Sequence, residues 1–170
     1  MEYYSPEKIL AKLKENHSIG LYYIRVKCES VIKDISPELY NDFIQRRDLA
    51  IQHPNHRVVY IGKGHGARGI HRRLEEELLH KGPGTFFRSL GAVMGMNPKR
   101  ATSLSGIKNY RFDSPEKTQI IDFIFNHLEV SIQELRMEEI TPKERNEIRE
   151  YFPILNTDHN PFPSVTVKDA

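Results

Sequence analysis

The middle third of the chain concentrates its chemically active residues. Between Tyr60 and Phe112 stand ten Lys and Arg against three acids, Glu75, Glu76 and Glu77, a local balance of +7 in a chain whose formal charge is +2. Lys63, Arg68, Arg72, Arg73 and Arg88 belong to this stretch, with His65, His71 and His80 among them. Clustered cations of this kind suit phosphate groups. The plainer reading is a solvated helical face, because Glu75 to Glu77 fall at pairing distance from Arg72 and Arg73 on a helix. Glycines sit in the same region: Gly64, Gly66 and Gly69 follow a strand ending at Tyr60-Ile61-Gly62 and precede a helix, so they satisfy G-x-G-x-x-G. Backbone N–H groups of such a turn and the start of a helix can approach a phosphodiester.

A dinucleotide site does not follow from those glycines. It needs an acidic residue about 20 positions further on to hold a ribose hydroxyl, and no carboxylate lies between Glu77 and Asp113. A second parallel strand is missing too, and the Gly-x-x-x-x-Gly-Lys-Ser/Thr loop of nucleotide hydrolases is absent. Further on, Thr141-Pro142-Lys143-Glu144 reads as a capping box in which the glutamate ties down a helix start. Phe86 and Phe87 beside Arg88 have the character of a base-wedging pair, although adjacent aromatics on a helix more often fill a core. His80, next to Lys81, reads as a surface histidine.

The elements that must carry these residues announce themselves by their ends. Ser5-Pro6-Glu7, Ser36-Pro37-Glu38, Ser114-Pro115-Glu116 and Thr141-Pro142-Lys143-Glu144 each place a capping hydroxyl before a first-turn proline. Two more helices are expected, over about Gly69 to Leu79 and Thr85 to Val93. Strands are expected at Ile19 to Val26, Arg57 to Ile61 and Leu128 to Leu135, from aromatic and β-branched enrichment or alternation. Gly95 to Ser105 reads as a polar, basic loop. Three strands among five or six helices, without β-α-β alternation, predict an α+β fold: a small three-stranded antiparallel sheet flanked by helices.

Bulk properties narrow the class. The 170 residues, with 38% hydrophobic and 28% charged, predict one compact globular domain spanning 1–170. Apolar runs are far too short to span a bilayer, and the N-terminal residues carry no basic and apolar leader pattern, so no membrane association and a cytoplasmic location are expected. The single cysteine, Cys28, has no disulfide partner and no second thiol for a zinc site, and reads as a small strand residue.

Three separated pieces, in order, resemble the GIY-YIG nuclease family. They are Gly20-Leu21-Tyr22 on the first strand, Tyr60-Ile61-Gly62 on the next, and Glu144 through Ile148 and Pro153 to Asn156 on the last helix and its exit. The last spacing is similar to that of the incision domain of the bacterial excision-repair nuclease. Gly82 to Gly91, with Arg88, is similar to a run in small proteins of the family. The resemblance covers residues 18 to 157.

That resemblance implies a divalent-metal-dependent endonuclease acting on DNA, with RNA left open as a substrate. It makes Tyr22, Tyr60, Arg73 and Glu144 the catalytic set, with Glu144 holding Mg²⁺ or Mn²⁺ and Arg73 reaching the scissile phosphate. Tyr22 is the preferred general base because a nearby cation and metal would favour its phenolate; Tyr60 would orient water or phosphate, and the two roles are exchangeable. Lys63, His65, Arg68, His71, Arg72 and Arg88 would meet phosphate or DNA, while Gly20, Gly62 and Asn156 would be structural. Two departures stand out. There are 37 residues between Tyr22 and Tyr60 where the family has a short hairpin, which implies a helical insertion over about 27–55. The glycine turn also shifts the arginine by about three positions, so Arg72 and Arg68 share the assignment with Arg73.

Two other classes remain at this stage. One is a nucleic-acid-binding module that keeps the scaffold and basic face without turnover; the other is a nucleotide or small-molecule enzyme using the glycine turn. Tyr22 and Tyr60 read equally well as half-buried strand tyrosines. Monomer and homodimer are both compatible with the sequence.

Overall fold

A computed structural model describes residues 1–41, 57–96, 98–102 and 108–156. The fold is α+β, as expected, with a three-stranded antiparallel sheet flanked by helices. The first helix, α1 (Pro6–Leu13), starts where the sequence indicates: Ser5 accepts the Lys8 N–H and Pro6 occupies the first turn. Strand β1 (Gly20–Val26) follows and becomes the centre of the sheet, between β2 (Val58–Gly64) and β5 (Leu128–Glu134). Register pairs Tyr22 with Gly62 and with Ile132, and Ile24 with Tyr60 and Val130, with an irregularity between Ile24 and Arg25.

A central strand covered on both faces needs apolar residues on both, and β1 is buried along nearly its whole length. Tyr22, Ile24 and Tyr60 face one core with Ile70 and Leu74 of α3 (Gly69–Leu79), Phe86 and Phe87 of α4 (Thr85–Val93), and Ile120 and Ile124 of α5 (Ser114–His127). Leu21, Tyr23 and Ile61 face a second, smaller core with Ile140 and Ile148 of α6 (Met137–Tyr151). The free edge of β2 is covered by the chain leaving α6, where the Leu155 N–H donates to the Val59 carbonyl at 2.9 Å.

The insertion between the first two strands is helical as far as it is described. It holds α2 (Ser30–Ile35) and a further helical stretch over 37–41, capped by Ser36, which accepts the Leu39 N–H. The remainder of the expected 27–55 segment, residues 42–55, lies outside the described residues.

Several expectations are corrected. Strand β2 runs to Gly64, because Gly62 and Gly64 are strand residues paired with Tyr22 and Gly20 rather than part of a turn. The Gly95 to Ser105 stretch contains β3 (Lys99–Thr102), which pairs with β4 (Lys108–Arg111) in a separate two-stranded ribbon; residues 97 and 103–105 lie outside the described residues. Lys-Arg-Ala-Thr carries no apolar alternation, so the pairing left no trace in composition. Cys28 is exposed just beyond β1, beside the Ser30 hydroxyl at 3.0 Å, and is not in a strand. His80 is not a surface residue: half-buried, it ends α3 in the left-handed conformation and stacks on Phe87 at 4.5 Å. Phe86 and Phe87 are fully buried and cannot wedge between bases.

Two helix starts move. Asp113 caps α5, and Glu116 accepts its N–H. Helix α6 begins a full turn before Thr141, with Glu139 accepting the Arg136 N–H at 3.1 Å. Pro142 is therefore inside the helix; the hydrogen bond it forgoes would run to Glu138, an exposed first-turn residue whose carbonyl water can serve. Among the described residues no helix is long and apolar enough to cross a membrane.

Candidate active site

A cleft of about 500 Å³ opens where β1, β2, α3 and α6 meet. Tyr22, Tyr60, Arg73 and Glu144 all line it, each from a different element. Lys63, His65, Arg72, Gly62 and Asn156 join them; Arg68, His71 and Arg88 stand outside its wall. Arg68 is exposed, with its guanidinium 3.9 Å from Glu75, His71 turns to the same carboxylate at 4.0 Å, and the Arg88 guanidinium lies over the Tyr110 ring.

The two tyrosines sit side by side on antiparallel strands with ring centroids 6.3 Å apart. Tyr22 fits only because its strand partner lacks a side chain: a β-carbon on Gly62 would stand 2.2 Å from the Tyr22 Oη. Gly20, with φ +148°, faces the Gln133 carbonyl across the other strand pair, where a β-carbon would come within 1.9 Å. Asn156 pins the exit of α6 to β2: its Oδ1 accepts the Ile61 N–H and its Nδ2 donates to the Ile61 carbonyl, both at 2.9 Å.

The glycine turn serves packing. A β-carbon on Gly64 would meet the Ile70 backbone, and one on Gly69, at φ +52°, would meet the Ser18 carbonyl. The Gly69 and Ile70 N–H groups already donate to the carbonyls of Gly66 and Ser18. The first two N–H groups of α3 are thus occupied within the protein, while His65 and Gly66 of the turn line the cleft.

Both phenols are held in their neutral form by the protein around them. Burial first, then the Glu77 carboxylate, push both Tyr22 and Tyr60 well above the usual tyrosine range, and Arg73 offsets this only in part. Tyr22 donates to Glu77 Oε1 at 3.2 Å. Tyr60 is slightly exposed; Glu144 raises its phenol and a hydrogen bond with Thr85 lowers it.

Arg73 is the arginine whose charge acts on both phenols. Its Nη2 donates to Glu77 Oε1 at 3.0 Å and its Nη1 to Glu76 Oε2. Burial works against the guanidinium charge, but Tyr22, Glu77 and Glu76 around it keep it protonated beyond the ordinary range. Arg72, more exposed, reaches Glu76 through Nε at 3.2 Å.

Glu144 is held differently from its sequence reading. With α6 starting at Met137 it cannot close a capping box; its side chain, only 12% exposed, turns into the cleft and meets Lys63 Nζ at 2.9 Å. Among the described residues no group of three or more His, Cys, Asp or Glu could hold a metal ion. One carboxylate in an open cleft does not suit a cation held entirely by protein ligands, such as a structural zinc. It does suit a hard divalent cation that keeps most of its waters.

Glu77 is the residue the sequence reading missed. Its signal is positional: Ile70, Leu74 and Leu78 form the buried stripe of α3, and Glu77, seven residues after Ile70, falls on the same face, fully buried.

The chain matches the family model described as GIY-YIG catalytic domain over residues 20–168. No curated protein and no solved structure matches it. A match over most of the 170 residues, on a chain whose two tyrosine motifs and distant glutamate meet in one cleft, shows that this protein belongs to the GIY-YIG family and carries its nuclease-type domain.

Proposed function

We propose that the protein is a divalent-metal-dependent endonuclease that hydrolyses DNA phosphodiester bonds in this cleft. The supporting observation is the convergence of Tyr22, Tyr60, Arg73 and Glu144, from four elements spread over 123 positions of sequence, on one open cleft. The reading takes residues 1–170 as one nuclease domain, with 27–55 as an insertion.

The chain's own groups divide the work. Arg73 offers a planar fork to the non-bridging oxygens and stabilises the charge that builds up as the phosphate is attacked. Tyr60 faces the water or phosphate directly. Tyr22, committed to Glu77, holds its neighbour and the cleft floor in place, so we assign the base or orienting role to Tyr60 rather than Tyr22. Lys63 and Arg72 hold the flanking backbone as cations. Glu144 holds Mg²⁺ or Mn²⁺. When bound, that ion supplies positive charge that neutralises phosphate oxygens and, through the same field, lowers the Tyr60 phenol.

The test is nicking of supercoiled plasmid with Mg²⁺ and with chelator at low salt, using wild type, Glu144→Gln and Tyr60→Phe. Wild type should nick only with the ion, and both variants should bind without cutting. Binding by wild type with no cutting in Mg²⁺ or Mn²⁺ would instead identify a nucleic-acid-binding module.

A further inference from the structure

We propose that Glu77 is a positioning residue that sets the Arg73 guanidinium in place for phosphate; the inference rests on the nuclease reading of the cleft. The carboxylate is fully buried. Oε1 accepts from Arg73 Nη2 at 3.0 Å and from the Tyr22 hydroxyl at 3.2 Å. Oε2 accepts the backbone N–H groups of Phe86 at 2.8 Å and Phe87 at 3.3 Å, at the start of α4. One group thus joins the arginine, the first-strand tyrosine and the helix that carries Thr85 into the cleft wall.

The position argues for a role beyond folding. Glu77 lies on the stripe of α3 otherwise filled by Ile70, Leu74 and Leu78, where an apolar residue would bury without the desolvation that a carboxylate costs. Glu77 is not a metal ligand: it does not line the cleft, and both oxygens are already engaged.

Glu77 and Glu76 also hold Arg73 through different nitrogens. Glu76 lines the cleft, so an incoming phosphate can displace it, whereas Glu77 lies beneath and stays. The structure protects the Glu77 contact from the other direction as well. Gly84 abuts it so closely that a β-carbon would come within 2.4 Å of Oε2.

Two readouts test this. In single-turnover cleavage, Glu77→Gln should lower the rate about 100-fold with DNA affinity within about threefold, the size expected of a misaligned catalytic group. The same substitution should add nothing in an Arg73→Ala background, since it acts through Arg73. The second readout needs no activity: the Arg73 Nε–Hε resonance in ¹⁵N-labelled protein. It should be sharp and distinct in wild type and in Glu76→Gln, and collapse toward the position of an exposed arginine in Glu77→Gln and in Gly84→Ala, which displaces the carboxylate without removing it. If wild type cuts no DNA, the nuclease reading fails and the resonance alone decides whether Glu77 holds Arg73. A resonance unchanged in both Glu77→Gln and Gly84→Ala, or a further rate loss on top of Arg73→Ala, would overturn the proposal.

Discussion

The ring of Tyr22 lies across Gly62, its register partner on the neighbouring strand, and occupies the space a side chain there would need. The two tripeptide motifs are therefore one packing unit: the glycine of the second makes room for the tyrosine of the first. A β-carbon on Gly62 would stand 2.2 Å from Oη and 2.3 Å from Cζ of a fully buried ring. Gly62→Ala should destabilise the protein by about 1–3 kcal/mol, the range for overpacking a filled interior. Tyr22→Phe should not rescue it, because the ring carbon remains. Urea denaturation midpoints of the single and double variants measure both statements.

Glu76 lines the cleft beside Arg73. It accepts from both Arg72 and Arg73, so two cations aimed at phosphate are neutralised by a carboxylate that DNA must displace. Glu76→Gln should therefore tighten binding to duplex DNA about three- to tenfold at low salt, and the gain should shrink as salt rises. Fluorescence anisotropy with a labelled duplex at two salt concentrations reads it directly; unchanged or weaker binding would mean that phosphate does not enter at Arg72 and Arg73.

His80 couples stability to acid. Burial first, then Lys117 and Arg111, hold its imidazole down to about 4. The unfolded chain, with a histidine near 6.5, binds the proton more readily, so stability is full above about pH 6.5 and falls as pH drops toward 4. For a half-buried ring the contribution lost is about 1–2 kcal/mol after allowing for solvent screening. His80→Asn, which keeps the left-handed cap, should flatten this part of the profile in urea titrations at pH 7, 5.5 and 4. An unchanged slope would place the acid sensitivity elsewhere.

Much of the fold was legible because it rests on local chemistry. The serine and proline starts of α1 and of the helix after Ser36 need only neighbouring residues, and β1 shows its double-sided burial as an almost unbroken apolar run. Misread features have competing local signals or none. Thr141-Pro142-Lys143-Glu144 carries the pattern of a helix start, but Arg136 and Glu139 supply one a turn earlier, and a proline near the start of an exposed helix is tolerable. The β3–β4 ribbon has no alternation to reveal it. The Gly64 and Gly69 positions were readable as glycine requirements but not as packing against Ile70 and Ser18, which only the tertiary structure brings there.

The cleft itself was legible as a set of residues and not as an arrangement. The motifs named Tyr22, Tyr60 and Glu144, yet the rise of both phenols comes first from burial and then from Glu77, which no motif contains. The choice among three arginines likewise needed geometry. Arg68 points to Glu75 outside the cleft, while Arg73 lies within it against Glu77.

That choice is also where the account is most directly tested. Single-turnover cleavage of a DNA duplex in Mg²⁺ should be compared for wild type, Arg73→Ala and Arg68→Ala at low salt. Removing Arg73 should cost about 10²- to 10³-fold in rate, as loss of one preorganised charge-stabilising donor does, while removing Arg68 should leave the rate within about threefold and weaken only the salt-dependent binding. Full activity in Arg73→Ala, or equal losses in the two variants, would contradict the assignment of catalysis to this cleft.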